Sequence, residues 1–281
     1  MTYFLSFRTR NVGGAVADPV LLQGDGTAPS LALSIIPSAA VPAVVAGKNL
    51  LLGTHGFNVS MQRGAAQLGT LDRYLGLPPP NLFIAMLWPG DAWLPIVDYP
   101  FEGDVALDCG RRLAAFCESA CHVARSLSFV SHSLGARLVL EAVADLARET
   151  QSVCVTAGAI NGDCLTAEYA DATANAARVS VLASRKDRVL KIAFRIGDPI
   201  ADLLHDDHSP FQPALGYSGP VLPAPPSVLA PWQIGDADNY DHGSYLPTYP
   251  PQPLPPPPAA PWPKVADFMK RAFLGQTQTW P

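Results

Sequence analysis

A chain of 281 residues with 48% hydrophobic and 15% charged content can bury a large core, and its length is one that α/β folds commonly use as a single domain. A net charge of -5 leaves no basic footprint, so nucleic acid is not an expected partner and neither is an anionic membrane surface. Met1 to Arg10 has no basic segment leading into a long apolar one, and Pro37 and Pro42 interrupt the apolar stretch Ile35 to Ala46, which argues against a signal peptide and a membrane span.

In chain order, Tyr3 to Phe7 predicts an initial strand, Gly24-Asp25-Gly26 a hairpin turn and Ser30 to Ile36 the next strand. Asn49-Leu50-Leu51-Leu52-Gly53 reads as a short buried strand that runs into a His-Gly turn, Thr54-His55-Gly56-Phe57-Asn58. A helix is expected from about Ser60 to Leu75, a strand over Leu82 to Leu87, and a helix from about Val105 to Ser126. The apolar run Leu127 to Val130 follows, then Ser131-His132-Ser133-Leu134-Gly135 and a helical stretch over Leu134 to Arg148. Leu134, Leu138, Ala142, Val143 and Leu146 fall on one face of that helix, and Arg137, Glu141, Asp145 and Arg148 on another. Next come a strand over Ser152 to Ala157, a helix from about Thr166 to Ala176, and a β-branched strand from Val179 to Ser184 that ends in the polar turn Arg185 to Leu190. Strand and helix alternate from residue 49 to 194, the pattern of a mainly parallel sheet covered on both faces.

The last third differs. Proline clusters at Pro220 to Pro226 and Pro247 to Pro263 predict extended surface coil. Residues 192–231, which include Phe194, Phe211, Leu215 and Tyr217, are a candidate lid or substrate wall. Trp232 to Gly235 reads as a last short strand, and Asp241-His242-Gly243-Ser244-Tyr245 as a loop beyond it. His205-Asp206-Asp207-His208 lacks a third ligand at metal spacing, so neither a metal nor any other cofactor is expected. The five cysteines form no paired-spacing framework; Cys117 and Cys121 read as small buried apolar residues, and a reducing, cytoplasmic location is expected.

The segment Ser131 to Gly135 carries the chemistry. A small-x-Ser-x-Gly pentapeptide between a strand and a helix is the layout of a nucleophile elbow, a tight turn that lifts a serine hydroxyl clear of the sheet. Small residues are needed two before and two after the serine because the turn brings them together, and Ser131 stands where glycine is usual. Ser133 is the candidate nucleophile. A serine hydroxyl needs a base, and the base a carboxylate. His242 is the candidate base, with His205 and His208 as competitors. Asp187, in the turn after the strand Val179 to Ser184, is the candidate acid; Asp163, Asp236 and Asp238 are rivals for that place.

With these motifs the chain resembles an α/β-hydrolase, in particular a poorly characterised branch marked by a His-Gly-Phe-Asn turn and a Trp-Pro after the next strand. The motifs stand here as His55 to Asn58, Leu87-Trp88-Pro89-Gly90, the elbow Ser131 to Gly135, and Asp187-Arg188-Val189-Leu190; the resemblance spans roughly residues 45 to 195. It implies an α/β-hydrolase fold with a serine nucleophile and an oxyanion hole built from the backbone N–H groups of Phe57 and Leu134. The expected reaction is hydrolysis of a small-molecule carboxylic ester through an acyl-enzyme. His55, Asn58, His132 and Trp88 are the expected pocket residues, and Trp88, Trp93, Leu94 and Phe101 would favour uncharged, hydrophobic esters. A lactonase, thioesterase or amidase would use the same residues, and a non-catalytic relative would use the cleft to bind.

Overall fold

The strands that read as unbroken apolar runs do so because both of their faces are covered. The computed structural model describes residues 1–28, 30–91, 99–193 and 212–280. Their sheet has nine strands: β1 (Thr2–Arg8), β2 (Val16–Gly24), β3 (Leu33–Ile35), β4 (Asn49–Thr54), β5 (Asn81–Leu87), β6 (Ser126–His132), β7 (Ser152–Thr156), β8 (Val179–Leu182) and β9 (Val228–Leu229). Their order across the sheet is β3-β2-β1-β5-β4-β6-β7-β8-β9; β2 pairs antiparallel with both β1 and β3, and all other pairs are parallel.

The helices are α1 (Val41–Val45), α2 (Met61–Leu75), α3 (Tyr99–Ala120), α4 (Gly135–Asp145), α5 (Ala170–Ala174), α6 (Arg188–Ala193), α7 (Leu215–Ser218) and α8 (Trp262–Leu274). Side chains of successive strand residues point to opposite faces, and two apolar layers result. Leu50 and Leu52 of β4, Ile84 and Met86 of β5, and Val153 and Val155 of β7 pack with α3, α4 and α5. Leu51, Phe83, Ala85 and Cys154 pack on the other side with α2 and α8. All five cysteines are buried and none is in a disulfide, with Cys117 and Cys121 inside the first of these layers. No helix among the described residues is long and apolar enough to cross a membrane.

The fold departs from the sequence expectations in five places. The strand β2 was hidden by Asp18 and Pro19; its register against β1 shifts between Ser6 and Arg8, a bulge at which the missing proline N–H is tolerated. The helix α8 was hidden by the proline run. Pro263 stands in its first turn, where the N–H has no intrahelical partner to lose, and Val265, Phe268, Met269 and Ala272 then form a buried face at helical spacing. Arg188–Ala193 forms α6 where a polar turn was expected. The predicted strand at Trp232 shrinks to a single bridge between Gln233 and Ala183, and the edge strand is β9, just upstream. Leu215 and Gly216 of α7 are buried against the loop after β7, their backbone N–H groups donating to Ile160 O at 2.8 Å and Gly158 O at 2.9 Å; Phe194, His205, His208 and Phe211 lie outside the described residues.

Candidate active site

The site lies at the carboxyl ends of β4, β6 and β8, where ligands bind in open α/β sheets. Ser133 follows β6 directly and has φ +55°, the left-handed conformation of a strained turn. The turn is locked on both sides: Ser133 N donates to Thr156 O at 3.1 Å, and Ser133 O accepts from Ala136 N at 3.1 Å and Ala159 N at 3.2 Å. Gly135 is required by contact rather than by φ, since a Cβ there would sit 2.5 Å from His55 O and 2.7 Å from Thr54 Cγ2. Gly135→Ala is therefore expected to cost about 1–3 kcal/mol of stability, because the obstructing atom belongs to the backbone just after β4. At Gly243 an added Cβ meets nothing within 4 Å, so Gly243→Ala should stay within about 0.5 kcal/mol. Urea unfolding of the two variants measures the difference, and equal midpoints would contradict it.

The other predicted members converge on Ser133. Nε2 of His242 lies 2.8 Å from Ser133 Oγ, and Nδ1 of His242 lies 2.7 Å from Asp187 Oδ2. The Asp187 side chain is fully buried; its second oxygen accepts from Leu190 N at 2.9 Å in the first turn of α6, which fixes the plane of the carboxylate. The His242 backbone is set by Asp241, whose Oδ1 accepts from His242 N at 2.8 Å and from Arg188 N at 3.0 Å. That carboxylate staples the base loop to the acid loop. Two of the rival acids are engaged elsewhere: Asp236 pairs with Lys186, and Asp238 pairs with Lys264 and accepts from Trp280 Nε1.

Next to Ser133 is a cleft of ≈ 270 Å³. Phe57, Val59, Arg63 and Gln67 wall one side of it, and Leu246, Pro247, Thr248 and Tyr249 the other, so the proline-rich segment begins as part of the site. His132 also lines it. Its Nε2–H donates to the backbone carbonyl of His242 at 3.0 Å, and the two rings stand 4.9 Å apart. Burial first, and then the neighbouring His242, lower the pKa of His132 to about 3, which keeps it a neutral donor.

Three expected pocket residues are placed differently. His55 and Trp88 have no exposed surface; their rings stack with centroids 5.8 Å apart beneath the cleft. Asn58 is exposed with φ +56° and is not part of the lining. These residues build the loop instead. Trp88 Nε1 donates to His55 O at 3.0 Å, His55 Nδ1 donates to Gly56 O at 2.8 Å, and Asn58 N donates to Gly90 O at 2.5 Å. The His-Gly-Phe-Asn and Trp-Pro-Gly motifs thus interlock and set the backbone of Phe57. Glycine is needed at position 56 because a Cβ there would lie 2.8 Å from Ser133 Cβ. The buried ion pair of Arg8 with Asp91 at 2.5 Å, which sequence reasoning missed, braces the same loop, with Arg8 Nη2 donating to Val59 O. Trp93 and Leu94 lie outside the described residues, as does the side chain of Phe101.

Burial, the largest effect, and the positive charge of Arg8 lower the His55 pKa from 6.5 to about 3. The unfolded chain binds a proton at this residue that the folded protein resists, so stability falls as pH drops from 6.5 toward about 3. The slope is about 1.4 kcal/mol per pH unit for each such histidine. His55→Asn, which retains a donor for Gly56 O, should flatten the decline in urea midpoint between pH 6.5 and 4.5. An unchanged slope would contradict this account of His55.

The strand order, the parallel crossovers and the elbow at Ser133 define the α/β-hydrolase fold. In a comparison with models of protein families, residues 43–212 match the family described as "Alpha/beta hydrolase of unknown function (DUF900)", and the chain belongs to that family. A search of curated proteins found no match.

Proposed function

We propose that this hydrolase acts on carboxylic esters through a Ser133–His242–Asp187 triad and an acyl-enzyme intermediate. The observation that carries the proposal is the unbroken hydrogen-bonded chain from Ser133 Oγ through both ring nitrogens of His242 to Asp187, opening on the cleft. His242 takes the proton of Ser133 as Oγ attacks the ester carbonyl. The oxyanion is held by the backbone N–H groups of Phe57 and Leu134, with the positive end of α4 behind it. His242 then protonates the departing alcohol, and water enters by the same route to free the acid. Asp187 holds the imidazole in the tautomer that carries its proton on Nδ1 and balances the imidazolium as it forms. His132, by its hydrogen bond to the His242 carbonyl, positions the base.

The test is a panel of p-nitrophenyl esters from acetate to octanoate, set beside a thioester, a lactone and an anilide. Turnover of the oxygen esters that is fastest within the panel and stops on treatment with a fluorophosphonate is the expected result. A folded protein that turns over only the thioester, lactone or anilide would move the substrate class, and one that turns over nothing and resists the fluorophosphonate would overturn the reading.

A further inference from the structure

The wall of the cleft formed by α2 is polar, and its charge is fixed. Arg63 stands in the first turn of α2, three residues after the cap Ser60, whose Oγ accepts from Arg63 N at 3.3 Å. Arg63 is exposed at the cleft, and no carboxylate among the described residues lies within ion-pair distance of it. This contrasts with Arg8, Arg111, Arg112 and Arg137, each of which is paired with an acid. A guanidinium that has no acidic partner among the described residues and lines the cleft of the nucleophile, in a chain with net charge -5, is therefore a local feature set against the overall balance. The positive end of the α2 dipole lies in the same place and has the same sign.

One helical turn further on, Gln67 faces the same cleft, as residues four apart on a helix do. Gln67 is 7% exposed, and its Nε2 donates to Pro247 O at 2.9 Å. That bond fixes which end of the amide is which. The other end, Oε1, is buried and has no hydrogen-bond partner among the described residues. An unmet buried acceptor is costly, and the side chain that carries it lines the cleft.

We propose that the substrate is an ester bearing a carboxylate that Arg63 binds, together with a hydroxyl or N–H that donates to Gln67 Oε1. This inference rests on the serine-hydrolase reading of the same cleft and differs from the expectation of uncharged, hydrophobic esters; of the four residues behind that expectation, Trp88 is buried and is not in the lining, and the side chains of Trp93, Leu94 and Phe101 lie outside the described residues. One guanidinium matches the single charge and paired oxygens of a carboxylate. The described lining offers no second permanent cation for a dianion such as a phosphate monoester.

Two matched pairs of esters test it, one for each side of the scissile bond. Mono-p-nitrophenyl adipate is set against p-nitrophenyl hexanoate, and 4-acetoxybenzoate against its methyl ester. For at least one pair the wild type should favour the anionic member by about tenfold in kcat/KM, as expected for one charge-assisted contact. Arg63→Gln should collapse that ratio, Arg63→Lys should retain part of it, and added salt should shrink it in the wild type. Ratios near one in both pairs, or a preference that survives Arg63→Gln, would overturn the anionic substrate while leaving the hydrolase in place. Absence of turnover together with absence of fluorophosphonate labelling would overturn the hydrolase reading and the inference with it.

Discussion

His242→Ala should lower kcat for ester hydrolysis about 10⁴- to 10⁶-fold, with folding intact. The size follows from the chain of contacts. Among the described residues the hydroxyl of Ser133 is hydrogen-bonded to His242 Nε2, at 2.8 Å, and without that base the attacking group is a neutral alcohol. His132 cannot substitute, because its Nε2 is committed to the His242 carbonyl and its pKa is lowered to about 3. The His242 ring is 17% exposed, so its removal leaves a small, solvent-accessible gap rather than a buried void, and thermal unfolding should change little. Steady-state kinetics on a p-nitrophenyl ester read the effect. A loss of less than tenfold would mean that another group serves as base.

Asp187→Asn is expected to cost about 10⁴-fold in kcat with a native-like fold. The asparagine Oδ1 can keep the hydrogen bond from Leu190 N that Asp187 now accepts at 2.9 Å. Its amide nitrogen then faces Nδ1 of His242 and donates, which leaves the imidazole proton on Nε2, pointing at Ser133. That tautomer cannot accept the serine proton. Since the Asp187 side chain is fully buried, water does not restore the lost acceptor. Asp187→Ala would add the loss of the α6 cap and a cavity, so asparagine is the cleaner variant. If Asp163→Asn, Asp236→Asn or Asp238→Asn produced the larger loss, the acid would be misassigned.

Much of this fold can be read in the chain because its signals are local. Runs such as Leu50-Leu51-Leu52 are apolar at successive positions only when both faces of a strand are buried, and the 3.6-residue spacing in Leu134 to Leu146 marks a helix with one face on the sheet. The elbow is legible for the same reason: Ser131, Ser133 and Gly135 meet a steric demand that lies within five residues. Ser133, His242 and Asp187 could be proposed from chain order, whereas their meeting depends on β6, β8 and the loop at Asp241 ending on one edge of the sheet. Reading failed where local chemistry masks a tertiary arrangement. Pro19 obscured β2 and Pro263 obscured α8, although each occupies a place where a missing N–H costs nothing. His55, Asn58 and Trp88 were given to the pocket because polar and aromatic residues near a nucleophile suggest contact with substrate; their partners are backbone carbonyls of the same two loops, those of Gly56, Gly90 and His55. Arg63 and Gln67 read only as polar positions on a helix, because the point at which the first turn of α2 meets the cleft is set by the loop that His55, Trp88 and the Arg8–Asp91 pair hold in place.

The central claim, that Ser133 is an activated nucleophile, is tested most directly by incubating the folded wild type with a fluorophosphonate and locating the adduct by peptide mass spectrometry. The account predicts a single phosphonylated site on the peptide containing Ser133, absent from Ser133→Ala and from wild type unfolded in urea. Modification of another serine, or no modification of the folded protein by a probe small enough for the cleft, would contradict it.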